Sequence, residues 1–188
     1  MLSITPLYAK TILVVGDSLS AAHNIDEQSS WVNLLRQRVQ APWQVVNISA
    51  SGDTSDNGLA KLTRYLSANK ADIVIIELGA NDGLRGLPLN GLQRNLGEMV
   101  GLAQKQSAKV LLLATWLPPN YGPTFIKRFN QVYLDVATQH QVALIPMFLQ
   151  GVAGDPALMQ SDGLHPNQKA QPIILNTVWP RLQTLLNN

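Results

Sequence analysis

Five short apolar runs punctuate the chain: Ile12–Val15, Val45–Ile48, Ile73–Leu78, Val110–Ala114 and Val142–Ile145. They are rich in Val and Ile and barely interrupted by polar residues. A strand with one face in water would alternate, so such runs predict strands covered on both faces. Between them the apolar positions recur every three or four residues. Trp31, Leu34, Leu35 and Val39 share one helical face, and Leu59, Leu62, Tyr65 and Leu66 a second. Leu92, Leu96, Met99, Val100 and Ala103 make a third; Phe129, Val132, Tyr133, Val136 and Ala137 a fourth; Ile173, Ile174, Thr177, Val178 and Leu182 a fifth.

Strands alternating with helices predict βαβ units. Right-handed crossovers then leave few arrangements other than a three-layer α/β/α sandwich, flavodoxin-like, around a five-stranded, mainly parallel sheet. The chain has 188 residues, 46% of them apolar, enough to bury one sizeable core. Residues 10–188 are therefore expected to form one domain. Residues 1–9 are apolar and end in Pro6-Leu7-Tyr8-Ala9 before Lys10. They read either as the remnant of an export signal whose front is missing or as a disordered N-terminus. The first reading predicts a periplasmic or secreted protein, the second a cytoplasmic one.

Composition removes several kinds of function. Charged residues make up 14%, with 14 basic against 12 acidic, and Lys127-Arg128 is the only adjacent basic pair. No stripe or patch fit for nucleic acid results. Without cysteine there is no disulfide, thiolate metal site or cysteine nucleophile. Neither an H-E-x-x-H pattern nor a His–carboxylate cluster at ligand spacing is present, so no metal is expected. Phosphate-binding glycine loops are missing too. The longest apolar stretches are strand-sized, far below the ~20 residues of a membrane span.

Four polar clusters carry the chemistry: Gly16-Asp17-Ser18-Leu19-Ser20, Ser51-Gly52-Asp53-Thr54-Ser55, Gly79-Ala80-Asn81-Asp82-Gly83 and Asp162-Gly163-Leu164-His165-Pro166. The first three follow the first three predicted strands, and ligands of open parallel sheets bind beyond the carboxyl ends of strands. Ser18 reads as a helix cap or as a nucleophile awaiting a base. His165 is one of three histidines and the only one with an acid three residues before it. Asp162 would fix its tautomer, leaving the other nitrogen for Ser18, and Pro166 is placed to begin the last helix. Gly52 offers a backbone amide and Asn81 a side-chain amide that, with the N–H of Ser18, would serve an oxyanion; as alternatives they are turn residues. Asp17 and Asp82 read as local braces, and His23 as part of a polar loop.

Those four blocks, in this order, resemble the SGNH/GDSL hydrolases, most closely the bacterial thioesterase I / protease I / lysophospholipase L1 group and related arylesterases. The likeness runs from Thr11 to Leu186 and includes the less generic stretches Glu77–Gly86 and Leu117–Gly122. Two positions depart: Ala22 stands where close relatives usually have Gly, and Trp116 where some have Arg. The resemblance implies a cofactor-free serine hydrolase of esters and thioesters, often exported; a monomer is expected. Its catalytic residues would be Ser18, Asp162 and His165, and its oxyanion hole Ser18, Gly52 and Asn81. By likeness Trp116, Leu117, Pro118 and Tyr121 would border the acyl chain of a small or lipid-like substrate. Two rivals share this sequence pattern: a carbohydrate acetyl-esterase on the same site, and a flavodoxin-like binding module whose Gly16–Ser20 loop cradles a flavin phosphate, which leaves Asp162 and His165 without a purpose.

Overall fold

The computed structural model describes residues 9–187, so the candidate signal remnant lies, apart from Ala9, outside the described residues. Five strands form one sheet: β1 (Lys10–Gly16), β2 (Trp43–Asn47), β3 (Ile73–Glu77), β4 (Lys109–Leu113) and β5 (Ala143–Ile145). The order is β2-β1-β3-β4-β5, and every neighbouring pair is parallel. The chain steps outward from β1 to β2, then crosses back to β3 on the other side. That reversal opens a crevice above the carboxyl ends of β1 and β3, where Gly16 pairs with Glu77.

Helices cover both faces, which is why the strand sequences hardly alternate. Leu13, Val15, Val74, Ile76, Val110 and Leu112 face a layer made of α2 (Ser55–Ala68), α4 (Leu89–Lys105) and α5 (Pro123–His140). Ile12, Val14, Ile73, Ile75, Leu111 and Leu113 face α1 (Trp31–Arg38) and α6 (Gln171–Asn187). The predicted helical faces are the ones buried: Leu92, Leu96 and Met99 of α4, Phe129 and Tyr133 of α5, Ile174 and Val178 of α6. A further short helix, α3 (Ala80–Leu84), carries Asn81 directly beyond β3.

Local chemistry sets where the helices begin. Ser30 accepts from the Asn33 N–H at the start of α1, and Thr54 and Asn57 form a reciprocal capping box at the start of α2. The expectation that Pro166 opens the last helix is corrected. Pro166 bridges antiparallel to Met159 instead, and α6 starts only at Gln171 after a 3-10 turn capped by the Asn167 side chain. Asn167 can accept from the Lys169 N–H and so starts the turn that the proline precedes. Among the described residues no helix is long and apolar enough to cross a membrane.

Candidate active site

Past β1 the chain turns tightly around Asp17. Its carbonyl accepts from the Ser20 and Ala21 N–H groups, and its Oδ1 from the Leu19 N–H at 3.0 Å. The loop is pinned from outside by the Trp31 indole on Leu19 O and the Asn47 amide on Ser20 O. Ser18 is thereby presented at the head of the crevice rather than spent as a helix cap.

The irregular segment after β5 holds the other half. The Met159–Pro166 bridge folds it into a narrow loop, closed by Gln160 N–H on His165 O at 2.7 Å and Asn167 N–H on Leu158 O at 2.8 Å. Within it Asp162 Oδ1 accepts from the backbone N–H groups of Leu164 and His165, and Oδ2 meets His165 Nδ1 at 2.7 Å. His165 Nε2 lies 2.8 Å from Ser18 Oγ, across a sequence separation of 147. Burial raises the Asp162 carboxyl, but the bonds from the His165 backbone, the His165 ring and the Leu164 N–H outweigh it and bring it down to about 2. Asp162 is thus a carboxylate at any ordinary working pH, and it fixes hydrogen on Nδ1 so that Nε2 accepts from the serine.

Gly52 and Asn81 arrive from the next two loops. Gly52 has φ +83°, a conformation that suits glycine, and its carbonyl is held by Arg85 at 2.8 Å. Asn81 donates through Nδ2 to Asp53 O at 2.9 Å and to Asp17 Oδ2 at 3.1 Å. One amide therefore ties together the Gly52 loop, the Ser18 loop and α3. Asp82 is a brace, as its position in the sequence suggests: its two oxygens take the N–H and hydroxyl of Ser55 at the first turn of α2, 2.8 and 2.6 Å away.

Beneath the Ser18 loop lies a feature that the sequence did not announce. Glu77, the last residue of β3, is fully buried, as is Asp17. Glu77 Oε2 accepts from Ser20 Oγ at 2.8 Å and the Asp17 N–H at 3.4 Å, while Oε1 has no partner among the described residues. Burial, and then the neighbouring charge of Asp17, hold Glu77 well above the usual carboxylate range. Burial likewise raises Asp17 to about 7, against the opposing pull of the Leu19 N–H, His165 and the Asn81 amide. The signal available in the sequence was a single acid inside the otherwise apolar run Ile73–Leu78.

An acid raised in the folded state keeps its proton there after the unfolded chain has lost it. The stability it allows is full below about pH 4 and declines as pH rises through about 7. Glu77→Gln keeps an acceptor for Ser20 and removes one of the two ionisations. Its melting temperature should gain on the parent as pH rises from 5 to 9, because the parent loses the proton that burial holds on its raised acid. An equal difference at both pH values would mean that Glu77 does not titrate in this range.

The four residues expected at the acyl rim do not share one environment. Leu117 is only 2% exposed and packs with Phe129 beneath Gly83, on the α2–α4–α5 side of the sheet. Trp116 is half-buried and packs toward the opposite side. Pro118 is half-buried, and the Tyr121 hydroxyl donates to Leu84 O at 3.0 Å, joining this segment to the end of α3. His23, read as part of a polar loop, stacks on His165. Sequence reasoning passed over it.

A parallel sheet whose switch-point crevice holds a Ser–His–Asp relay defines a hydrolase of the serine type. The chain belongs to the GDSL-like lipase/acylhydrolase family, whose pattern it matches over residues 14–172. It is 51% identical to the esterase TesA of Pseudomonas aeruginosa over 181 residues, 95% of this chain and 90% of that one. It is 38% identical over 188 residues to the thioesterase 1/protease 1/lysophospholipase L1 of Escherichia coli, spanning 100% of this chain and 90% of the relative. Among solved structures, the psychrotrophic esterase EstA from Pseudoalteromonas, inhibited by monoethylphosphonate, superposes with a TM-score of 0.88 at 39% identity. That match covers 95% of this chain and 100% of EstA.

Proposed function

We propose that the chain hydrolyses carboxylic esters and thioesters through an acyl-enzyme on Ser18. The observation that carries this reading is the unbroken relay from Ser18 Oγ through His165 to Asp162, with links of 2.8 and 2.7 Å. Ser18 Oγ attacks the acyl carbonyl as His165 Nε2 takes its proton. Collapse of the tetrahedral intermediate expels the alcohol or thiol, which leaves with that proton. Water then repeats the sequence on the acyl-enzyme, His165 again serving as base, and releases the acid. Asp162 keeps the imidazolium oriented and compensated throughout. The N–H groups of Ser18 and Gly52 and the Asn81 amide are assigned to the oxyanion.

The relatives are described as an esterase and as a thioesterase with lysophospholipase activity, which supports acyl esters and thioesters as the substrate class. Trp116, Pro118 and Tyr121 offer the acyl chain an apolar border, with Leu117 as its support from below. A monomer exported to the periplasm or beyond completes the reading; N-terminal sequencing of the mature protein tests the export.

The decisive experiment is reaction with a fluorophosphonate, followed by peptide mapping of the adduct, with His165→Ala as control. The expected result is a single adduct on Ser18 that is lost in the control. Folded protein that takes up no label would overturn the serine mechanism.

A further inference from the structure

Ala22 and Asn24 both occupy the left-handed region, with φ of 56° and 54°. That conformation is uncommon for any residue but glycine, and for alanine it has no side-chain compensation. Strain of this kind persists where the surrounding structure holds it. Its consequence here is the position of the residue between the two. The loop doubles back, and the His23 ring lies on the His165 ring with centroids 4.3 Å apart and planes tilted by 37°.

His23 is fixed there from three sides. Its Nδ1 meets Ser51 Oγ at 3.2 Å, in the loop of Gly52. Its Nε2 meets Asn24 Nδ2 at 3.1 Å. Its carbonyl accepts from Gln160 Nε2 at 2.9 Å, and the Gln160 backbone holds the His165 carbonyl. One glutamine therefore anchors the backbone of both histidines. Asn24 Nδ2 can only donate, so Nε2 accepts and Nδ1 carries the hydrogen given to Ser51. Both ring nitrogens are thus engaged, and a proton on Nε2 would cost the ring its Asn24 bond.

The reaction turns His165 into an imidazolium at each acyl-transfer step. Under the hydrolase reading above, on which this inference rests, we propose that His23 is a positioning residue for the catalytic base. While neutral it backs the His165 ring with an aromatic face; once protonated it sets a second positive charge against the imidazolium. The acid side of the activity profile then responds to two protons rather than one. Two unit charges at this separation, well screened by water, change the rate by roughly fivefold to tenfold.

The other charged groups around the pair are accounted for. Asp162 occupies the far nitrogen of His165 and stays ionised. Asp17 lies beneath and senses the His165 charge. Asp53, beside Gly52, is paired with Lys61, and Arg85 is engaged on the Gly52 carbonyl. Asp17 titrates within the range of interest, so only a change at His23 itself isolates the stack.

The test compares kcat/KM against pH for the parent, His23→Phe and His23→Gln with a short aryl ester. His23→Phe keeps an aromatic face that cannot be charged. The expected result is a second, partial fall of roughly fivefold to tenfold on the acid side of the parent's profile that is absent from both variants, whatever their absolute rates. A second readout needs no turnover. The chain has three histidines, so their ring signals can be followed singly by NMR. The His23 titration should move on His165→Gln, and the His165 titration on His23→Phe. Acid limbs of the same shape in all three proteins, together with unmoved ring titrations, would overturn the proposal. A parent that neither turns over ester nor takes up fluorophosphonate would overturn the hydrolase reading instead, and the ring titrations would distinguish the two failures.

Discussion

Ser18→Ala will lower kcat for ester hydrolysis by on the order of 10⁴–10⁶, and Ser18→Ala combined with His165→Ala will be no slower than either single change. The reason is the geometry of the relay. His165 Nε2 makes its one reactive contact with Ser18 Oγ at 2.8 Å, and its other nitrogen is committed to Asp162. A base with no hydroxyl to deprotonate has nothing to contribute, and a hydroxyl with no base is a poor nucleophile. Each loss therefore already contains the other. A residual rate of about 10³–10⁴ over water would survive in all three variants, from substrate binding and the oxyanion donors alone. Steady-state kinetics with a short aryl ester and a dodecanoyl thioester measure the three rates directly. Losses that multiplied in the double variant would mean that His165 acts on a group other than Ser18, such as an attacking water.

That a relay could be expected at all came from placement rather than from any one motif. Ile12–Val15 and Ile73–Leu78 are unmistakable as buried strands, and once the sheet is parallel, the loops leaving their carboxyl ends must meet at the same edge. Ser18 and Asn81 were legible for that reason, and Asp162 and His165 because an acid and an imidazole share one short loop. The misses have physical causes of a different kind. Leu117 and Trp116 are adjacent in an extended segment, so their side chains diverge, and only one can face a substrate while the other enters the core. Pro166 carries the signal of a helix start, yet a bridge to Met159 claimed it first, and nothing local announces a contact seven residues away. Glu77 is hidden by its own strand: period two sends it inward, and its partners Ser20 and Asp17 sit almost sixty residues earlier. His23 depended on two left-handed backbone angles at residues other than glycine, which composition cannot reveal.

Asn81→Ala will lower kcat by roughly 10²–10³, the loss typical of one oxyanion donor, with a much smaller change in KM. The resting geometry makes this a sharper test than it looks, because both hydrogens of the Asn81 amide already have acceptors, Asp53 O and Asp17 Oδ2. A developing oxyanion must therefore share or win one of them. The Asp53 carbonyl belongs to a loop braced by Arg85 on Gly52, whereas Asp17 is an acid that burial has raised to about 7 and which yields its charge readily. The Asp17 bond is the one that can be given up at least cost. Asn81→Asp should then be worse than Asn81→Ala despite its closer shape. It replaces the donor with an acceptor and sets a new carboxyl against Asp17, where like charges so close cannot both ionise. Both variants also lose the tie between the Ser18 and Gly52 loops, so melting temperatures must accompany the kinetics. A kcat deficit that persists in fully folded Asn81→Ala assigns the amide to the transition state. If kcat is unchanged while only stability falls, Asn81 is a strut between two loops, and the oxyanion is left to the N–H groups of Ser18 and Gly52.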